Sequence, residues 1–412
     1  MRVRVRLFTA LSLLLLFACP VRAQTTAPTA ADLGAAYQLF KAGKATEALA
    51  KYKAILAANP KAELQQQALF WSGIVQESSG LDDDAIATFE LLSSTSPDYR
   101  WPEVLHKLTM RYHAKGDAAK EKYFLDQLKL RRGASSARAD RARADLLIGD
   151  YFKQTGNWTA AYQQFQSIQS SYPEHAQDIL FQIAYTAHSA GKYTEAITAG
   201  QSYVNKYPAT PQFEEAAFRV VEDLGYADRY KEAIDYLDGM AVSYPNLTAR
   251  IRVYKAEAIA EGIKDPQASM KIAQQVIDEN RDPYQVYLAK YRIAFTLQNQ
   301  LRQPLKARDI LAEILPLYPK DNLAIEIASD IASTYSVQGD YLQAAARYKE
   351  ALVKYPCPVP EWDAWIRYAI GRQYVLAKDR VSAKKSWDEL GQMHPGNEWL
   401  QLALKEISTW PR

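Results

Sequence analysis

The sequence has little of what disulfide-bonded, turn-rich or catalytic proteins require. It holds only 2 cysteines among 412 residues, which excludes a scaffold held together by disulfide bonds. It also holds only 17 glycines, which argues against a barrel or sandwich with many tight turns. A glycine-rich phosphate loop, a His-Glu-x-x-His motif and a Gly-x-Ser-x-Gly motif are all missing. We therefore predict that the protein is not an enzyme and has no cofactor.

Metal ligands are equally scarce. The sequence has five histidines, and only His106 and His113 are close together, seven residues apart and so on one face of a helix. Two histidines with no nearby cysteine and no third ligand are weak evidence for a metal site. We interpret them as ordinary surface residues and predict no bound metal.

Long apolar runs are missing too, apart from one near the N-terminus. Three arginines within residues 1–6 precede an apolar run over 7–18, and a small residue, Ala23, follows. This order is typical of a secretory signal peptide, and the run is shorter than the roughly 20 residues of a membrane helix. We expect a signal peptide over 1–23, a flexible lead-in over 24–31 and no transmembrane segment in the mature chain.

A second pattern leaves the processing of this leader open. Residues 16–19 (Leu-Phe-Ala-Cys) resemble a bacterial lipoprotein box, although Phe17 and Pro20 fit it poorly. Lipidation of Cys19 would anchor the chain at the outer membrane, whereas cleavage before Gln24 would release it into the periplasm. An uncleaved anchor is the third alternative.

The basic charge of the chain belongs to the leader. Lys and Arg number 50 against 47 Asp and Glu, which gives +3. Without Arg2, Arg4, Arg6 and Arg22, 46 basic residues face the same 47 acidic ones, which gives −1. The arginines between residues 131 and 143 are interspersed with aspartates, which is typical of a solvated loop and helix face. We expect no nucleic-acid partner.

A repeat of about 37 residues organises the rest of the chain. Nine prolines are 35 to 39 residues apart, except for one double interval of 76: Pro60, Pro97, Pro173, Pro208, Pro245, Pro283, Pro319, Pro356 and Pro395. Twelve residues before eight of them stands alanine: Ala48, Ala85, Ala161, Ala196, Ala233, Ala307, Ala344 and Ala383. Eight before seven of them stands a large apolar residue: Tyr52, Phe89, Phe165, Leu237, Leu311, Tyr348 and Trp387. Seventeen before five of them stands glycine: Gly43, Gly80, Gly156, Gly191 and Gly339.

Each column of the repeat has a physical meaning. Apolar residues between the prolines follow the 3.6-residue period of two amphipathic helices per unit. The glycine lies between these helices, where a positive φ ends the first. The alanine lets the two helices approach closely, the large residue fills the space one turn later, and the proline ends the second helix. Lys271, Gly200 and Gln275 depart from the alanine and large-residue columns.

This pattern resembles the tetratricopeptide repeat. The unit from Ala142 matches the family pattern best, through Gly149, Phe152, Gly156, Ala161, Phe165 and Pro173. The resemblance implies an all-α solenoid: a right-handed superhelix of about ten helical hairpins over residues 32–397. Residues 398–412 would form a C-terminal capping helix, and residues 131–136 of the third unit would form a longer loop. The unit length and the Tyr-Pro ends are similar to those of bacterial periplasmic proteins.

The resemblance also implies a partner-binding groove lined by the first helix of each hairpin. Carried over unit by unit, the positions that face the groove are Tyr37, Phe40, Phe70, Phe181, Tyr185, His188, Phe218, Glu222, Trp365, Tyr368 and Arg372. Phe181, Tyr185 and Phe218 would form one exposed apolar strip. The alternative for each aromatic residue is core packing between adjacent hairpins.

The function implied is a non-catalytic interaction scaffold of the bacterial cell envelope, with a protein or peptide partner. Two alternatives stay open: a carbohydrate- or cell-wall-binding lipoprotein, and an accessory subunit of an envelope enzyme complex. A solenoid enzyme is disfavoured, because only 15 residues follow the repeats.

Overall fold

The computed structural model describes residues 27–279, 282–317, 323–355, 357 and 359–410. Over these ranges the chain forms 21 α-helices and no strand, so the prediction of an all-α fold is confirmed. The predicted signal peptide and Cys19 lie outside the described residues. The predicted lead-in is described from residue 27, and its last two residues, Ala30 and Ala31, belong to the first helix. No helix in the described ranges combines the length and the apolar character needed to cross a membrane.

The helices group into two compact units, residues 1–164 (unit 1) and 165–412 (unit 2). The described helices of unit 1 are α1 (Ala30–Lys41), α2 (Ala45–Ala57), α3 (Ala62–Ser78), α4 (Asp82–Thr95), α5 (Trp101–Lys115), α6 (Ala118–Ala134), α7 (Arg138–Gln154) and the first part of α8 (Trp158–Ile168). From α1 to α7 each helix packs against the next, and α1 also touches α3, as α5 touches α7. Odd-numbered helices are therefore the first helices of hairpins and are neighbours of one another.

Unit 2 continues this order. Its remaining described helices are α9 (Ala176–Ser189), α10 (Tyr193–Lys206), α11 (Phe213–Tyr226), α12 (Tyr230–Ser243), α13 (Thr248–Ala258), α14 (Pro266–Glu279), α15 (Pro283–Asn299), α16 (Pro304–Ile314), α17 (Leu323–Val337), α18 (Tyr341–Lys354), α19 (Pro360–Leu376), α20 (Arg380–Met393) and α21 (Glu398–Ser408). From α9 to α21 each helix packs against the next, and α21 also packs against α19. Within each unit this consecutive packing is that of an α-solenoid, as predicted.

Each hairpin turns through one residue with a positive φ. Ten such positions recur every 35 to 40 residues: Gly43, Gly80, Gly116, Gly156, Gly191, Asp228, Lys264, Arg302, Gly339 and Lys378. The five predicted glycines are among them, which confirms their role in the turn. Four non-glycine residues adopt the same left-handed backbone, so the glycine column alone undercounts the hairpins.

Two glycines of the first hairpin should respond oppositely to alanine. Gly43 has φ +76° and open space around its Cα, so Gly43→Ala carries only a backbone cost, about 1 kcal/mol of unfolding free energy. Gly34 lies inside α1, also with open space, so Gly34→Ala should add about 0.5–1 kcal/mol by favouring the helix. Urea denaturation followed by circular dichroism measures both. Shifts of the same sign would contradict the turn assignment.

The alanine and large-residue columns form the contact between the two helices of a hairpin. All eight alanines of the column are at most 1% exposed. In α4, the fully buried Phe89 ring comes within 2.6 Å of the point where a Cβ on Gly73 would stand. The ring therefore lies directly on the backbone of α3, because position 73 has no side chain.

The departures from the columns have local causes. Gly200 takes a large-residue position, and the space beside it is filled by Val220 Cγ2 from the next first helix, 2.6 Å from the Cβ position. In α14 the buried small residues are Ser269 and Ala273 rather than Lys271. The register of α14 is thus shifted by two residues, next to a π-helical turn over Ile259–Ile263.

The expectation of a longer loop over residues 131–136 is wrong. Helix α6 continues to Ala134, and residues 135–137 alone connect it to α7. No proline stops the helix, and its last arginines have internal partners. Arg132 donates two hydrogen bonds, at 2.8 and 2.7 Å, to the buried carboxylate of Asp145, and Arg131 donates one at 2.7 Å to the Pro97 carbonyl.

Candidate partner-binding surface

The predicted groove residues of the first hairpin lie at the edge of its core. Tyr37 is half-buried, with its ring centroid 4.7 Å from that of Trp71 on α3. Lys41 lies 6.0 Å from the centre of the Tyr37 ring. Phe40 is half-buried and packs against the buried cluster that contains Tyr52. These two aromatics are partly accessible, as a binding surface requires.

Phe70 does not have the exposure that the sequence predicted. Only 4% of this residue is exposed, and its ring packs edge-on against Phe89 and Tyr99, each with centroids 6.3 Å away. The guanidinium of Arg100 lies 4.7 Å from the ring centre. The assignment of Phe70 to an accessible groove is therefore corrected, because these neighbours make it a core residue.

The predicted apolar strip on α9 and α11 is not open. Phe218 is 1% exposed, with the Tyr254 ring at 4.8 Å and the Arg250 guanidinium at 4.0 Å from its centre. Tyr185 is half-buried beneath Arg219, at 4.9 Å. Phe181 is half-buried, with its ring centroid 5.4 Å from that of Tyr203. The hypothesis of an exposed strip is wrong for Phe218, because arginines from the following first helices lie over these rings.

His188 and Glu222 are held by neighbours on the next helices. His188 Nδ1 is 2.7 Å from Oδ1 of Asp223, whose side chain is buried. Glu222 is exposed and accepts a hydrogen bond of 3.1 Å from the Tyr254 hydroxyl. It lines a cavity of about 380 Å³ together with Tyr226, whose ring also lies 5.9 Å from that of His188. Glu222 is thus accessible, whereas His188 is half-buried and paired with Asp223.

A second cavity lies on the last four first helices of unit 2, and we call it the α15–α21 cavity. It has a volume of about 410 Å³. Its walls come from four successive first helices, α15, α17, α19 and α21: Tyr291, Phe295, Ile325, Glu326, Ser329, Asp330, Glu361, Trp362, Trp365, Ile366, Glu398 and Trp399. Of the eleven predicted groove residues, only Trp365 lines it. Five of its described lining residues are aromatic and four are acidic.

Two carboxyl groups in this cavity share one phenol. The Tyr291 hydroxyl lies 3.0 Å from Oε1 of Glu326 and 2.6 Å from Oδ2 of Asp330. Burial raises the pKa of Asp330 to about 6, and it also raises the pKa of Glu326. Burial raises the pKa of Tyr291 as well, so this phenol stays a donor at neutral pH. The two carboxyl groups that meet at Tyr291 thus make this end of the cavity acidic.

Tyr368 and Arg372 hold the last helix rather than line this cavity. The Tyr368 ring stacks on Trp387 with centroids 5.9 Å apart and lies 5.4 Å from Trp399 of α21. Arg372 forms an ion pair with Glu406 of α21. Both residues attach α21 to α19, and their assignment as groove anchors stays a prediction.

A repeated dipeptide in the sequence could have indicated the α15–α21 cavity, although it is not part of the tetratricopeptide repeat pattern. The dipeptide Glu-Trp occurs at Glu361-Trp362 and again at Glu398-Trp399, 37 residues later, in the first turns of α19 and α21. Acidic residues favour the first turn of a helix, so this position alone did not suggest a site. Its repetition at the repeat spacing points to a common face.

The interpretation of His106 as a surface residue is wrong. His106 is 6% exposed and lies 3.7 Å from Asp150. Burial lowers the pKa of its imidazole to about 4. His113, by contrast, is exposed and lies 2.9 Å from Glu121. Within the described part of the chain, no three His, Cys, Asp or Glu side chains are arranged to hold a metal ion.

Comparison with known proteins finds a family model that matches two segments of the chain. Residues 33–99 and 146–212 match the model of the tetratricopeptide repeat. No curated protein matches the chain. A tetratricopeptide repeat protein from Parabacteroides merdae ATCC 43184 is 12% identical over 64% of this chain and 98% of its own, with a TM-score of 0.45.

Two further solved structures are similar at low identity. PilW, described as a widely conserved type IV pilus biogenesis factor, is 17% identical over 55% of this chain and 98% of its own, with a TM-score of 0.42. Human IFIT1, solved as a dimer with PPP-AAAA, is 13% identical over 82% of this chain and 80% of its own, with a TM-score of 0.44.

Proposed function

Because this chain is a tetratricopeptide repeat protein, we propose that it is a non-catalytic scaffold of the bacterial cell envelope that holds a protein or peptide partner on the first helices of unit 2. The observation that carries this proposal is the α15–α21 cavity. Four successive first helices contribute to it, so a bound segment would contact several repeats at once. Aromatic side chains supply large contact areas at low entropic cost, which suits peptide recognition.

The envelope location rests on the leader. Residues 1–23 have the arrangement of a secretory signal peptide, and the chain after them carries almost no net charge. Intact mass of the protein purified from a bacterial host distinguishes the alternatives. A chain that begins at Gln24 supports release into the periplasm, and a lipid-modified chain that begins at Cys19 supports an outer-membrane anchor. A chain that retains Met1 in the cytosolic fraction would contradict export.

The scaffold function can be tested by site-specific photo-crosslinking in cells. Benzoylphenylalanine at position 362 would replace Trp362, a cavity residue that is 38% exposed. The matched control places it at Val353, which is 86% exposed on the second helix α18 and does not line the cavity. We expect an adduct with a discrete envelope protein from position 362 and none from position 353. Identical adducts from both positions, or none from position 362, would refute the proposed surface.

A further inference from the structure

The α15–α21 cavity combines aromatic walls with acidic groups and no basic one. Its rings come from Tyr291, Phe295, Trp362, Trp365 and Trp399, and the acidic side chains are Glu326, Asp330, Glu361 and Glu398. None of its described lining residues is a lysine or an arginine. A ring face attracts a cation, and a carboxylate does so more strongly. The site thus offers both kinds of cation partner within one cavity.

The two carboxyl groups that meet at Tyr291 share one hydrogen-bond donor. Tyr291 has one hydroxyl proton, so it can donate to Glu326 or to Asp330 at any moment, but not to both. Arg292 lowers the pKa of Glu326, but by less than burial raises it. Arg292 itself is engaged by Glu257, at 2.7 Å. A cation from outside would therefore be favoured by these half-buried carboxylates, which share the neutral Tyr291 hydroxyl as a hydrogen-bond donor.

In unit 2 the chain itself places an arginine between a ring and a carboxylate at three positions, one of them at the cavity-wall residue Phe295. In three places a guanidinium lies 4.0 to 5.2 Å from an aromatic ring centre and 2.7 to 3.3 Å from a carboxylate oxygen: Arg219 with Tyr185 and Glu215, Arg250 with Phe218 and Glu214, and Arg292 with Phe295 and Glu257. The α15–α21 cavity offers further rings and carboxylates of the same kinds, and because Arg292 already lies over Phe295, a further cation would use Tyr291 and the three tryptophans. It differs in that no described lining residue supplies the cation.

An organic cation fits this chemistry better than a metal ion. The carboxylates of the cavity are not among any group of three that could ligate one ion within the described residues. Indole faces, moreover, give a hydrated metal ion no ligand. A lysine or arginine side chain matches both the rings and the carboxylates of the cavity, because its apolar stem packs on rings while its charged end reaches carboxylates.

We infer that the α15–α21 cavity receives a lysine or arginine side chain from an extended segment of the partner protein. Trp362, Trp365 and Trp399 pack against the stem, and Glu361 and Glu398 at the mouth attract the charge. This inference rests on the proposed scaffold function and gives the chemistry of its partner. The resemblance to the tetratricopeptide repeat family does not by itself predict this preference for cationic segments.

The test uses four peptides, N-acetyl-Gly-Ser-Gly-Phe-X-Phe-Gly-Ser-Gly-amide, with arginine, lysine, citrulline or glutamate at X. Binding to the chain over residues 24–412 is followed by chemical shifts of the tryptophan indole N–H groups. We expect the arginine and lysine peptides to bind at least tenfold more tightly than the citrulline and glutamate peptides. Their affinity should fall as salt rises, since charge attraction is screened. Equal binding of the arginine and citrulline peptides would overturn the inference.

A pair of charge-matched variants locates the effect. Glu361→Gln with Glu398→Gln removes two exposed carboxylates at the cavity and should weaken arginine-peptide binding about tenfold. Asp309→Asn with Glu389→Gln removes two exposed carboxylates on the second helices α16 and α20 and should change it less than twofold. Equal loss in both pairs would show a non-specific charge effect and would overturn the inference.

The two proposals can fail separately. If cross-linking from position 362 succeeds but none of the four peptides prefers a positive charge, the scaffold function stands and the cationic inference falls. If the arginine peptide binds as expected but position 362 captures no envelope protein in cells, the scaffold function falls and, with it, the assignment of this cation to a partner protein.

Discussion

Gly371→Ala should destabilise unit 2 by about 3 kcal/mol, because the new methyl group would overlap a buried indole. A Cβ at position 371 would stand 2.1 Å from Nε1 of Trp387. Trp387 is 1% exposed, and Nε1 donates a hydrogen bond of 3.1 Å to the Tyr368 carbonyl. Its ring also stacks between Tyr368 and Trp410, with centroids 5.9 and 6.0 Å away. The indole therefore cannot retreat without losing several contacts.

Denaturation of matched variants separates this overlap from a general effect of alanine. Gly239 lies inside α12 of the same unit with open space around it, so Gly239→Ala should stabilise slightly. In the Gly371→Ala background, Trp387→Leu should cost less than it does alone, because the smaller side chain removes the clash. A Gly371→Ala variant as stable as Gly239→Ala would show that the indole moves freely.

The same interlock explains why the hairpins could be predicted from the sequence. Phe89 and Trp387 pack directly on a glycine of the facing helix, and the turn between the two helices takes a positive φ. The helix contact and the turn are both local to one hairpin, so the alanines, the large residues and the turn glycines recur at a fixed spacing. The turns at Asp228 and Lys264 left no such mark, because the surrounding packing imposes the left-handed backbone on residues that do not favour it.

The binding surface was harder to predict, because exposure depends on side chains from other hairpins. Phe218 has the position of a groove residue, yet Arg250 from the next first helix covers it. The position of Phe218 in the repeat does not predict that Arg250 covers its ring. Conversely, Tyr291 contacts Asp330, 39 residues later in the sequence, and both follow α14, where the register of the repeat is shifted. Carrying ideal positions from unit to unit cannot anticipate a contact that forms where the units themselves depart from the pattern.

Two titrating groups whose pKa values are shifted by burial, one in each unit, should give opposite responses to pH. Asp330 in unit 2 has its pKa raised to about 6 by burial, so its protonation favours the folded state. As the pH falls from about 6 towards 4, unit 2 gains stability from this group. In unit 1 the group is the imidazole of His106, and its effect has the opposite sign.

Acidification should destabilise unit 1 through His106. Burial lowers the pKa of this imidazole from 6.5 to about 4, so the unfolded chain binds its proton first. The stabilisation from the neutral imidazole is therefore complete above about pH 6.5 and lost as the pH falls to about 4, a change of about 3 kcal/mol. Asp150, 3.7 Å away, would favour the charged form but does not outweigh burial.

Proton NMR titration of the His106 ring, together with urea denaturation between pH 4 and 7, measures this effect. His106→Leu keeps an apolar side chain of similar size in the core and removes the titrating group, so its unfolding free energy should lose that part of the pH slope. Because leucine cannot gain a proton, the unfolding free energy of the variant relative to that of the parent chain should be higher at pH 4 than at pH 7. A ring that titrates near 6.5, or equal slopes in both chains, would show that water reaches the imidazole and that its burial does not govern unit 1.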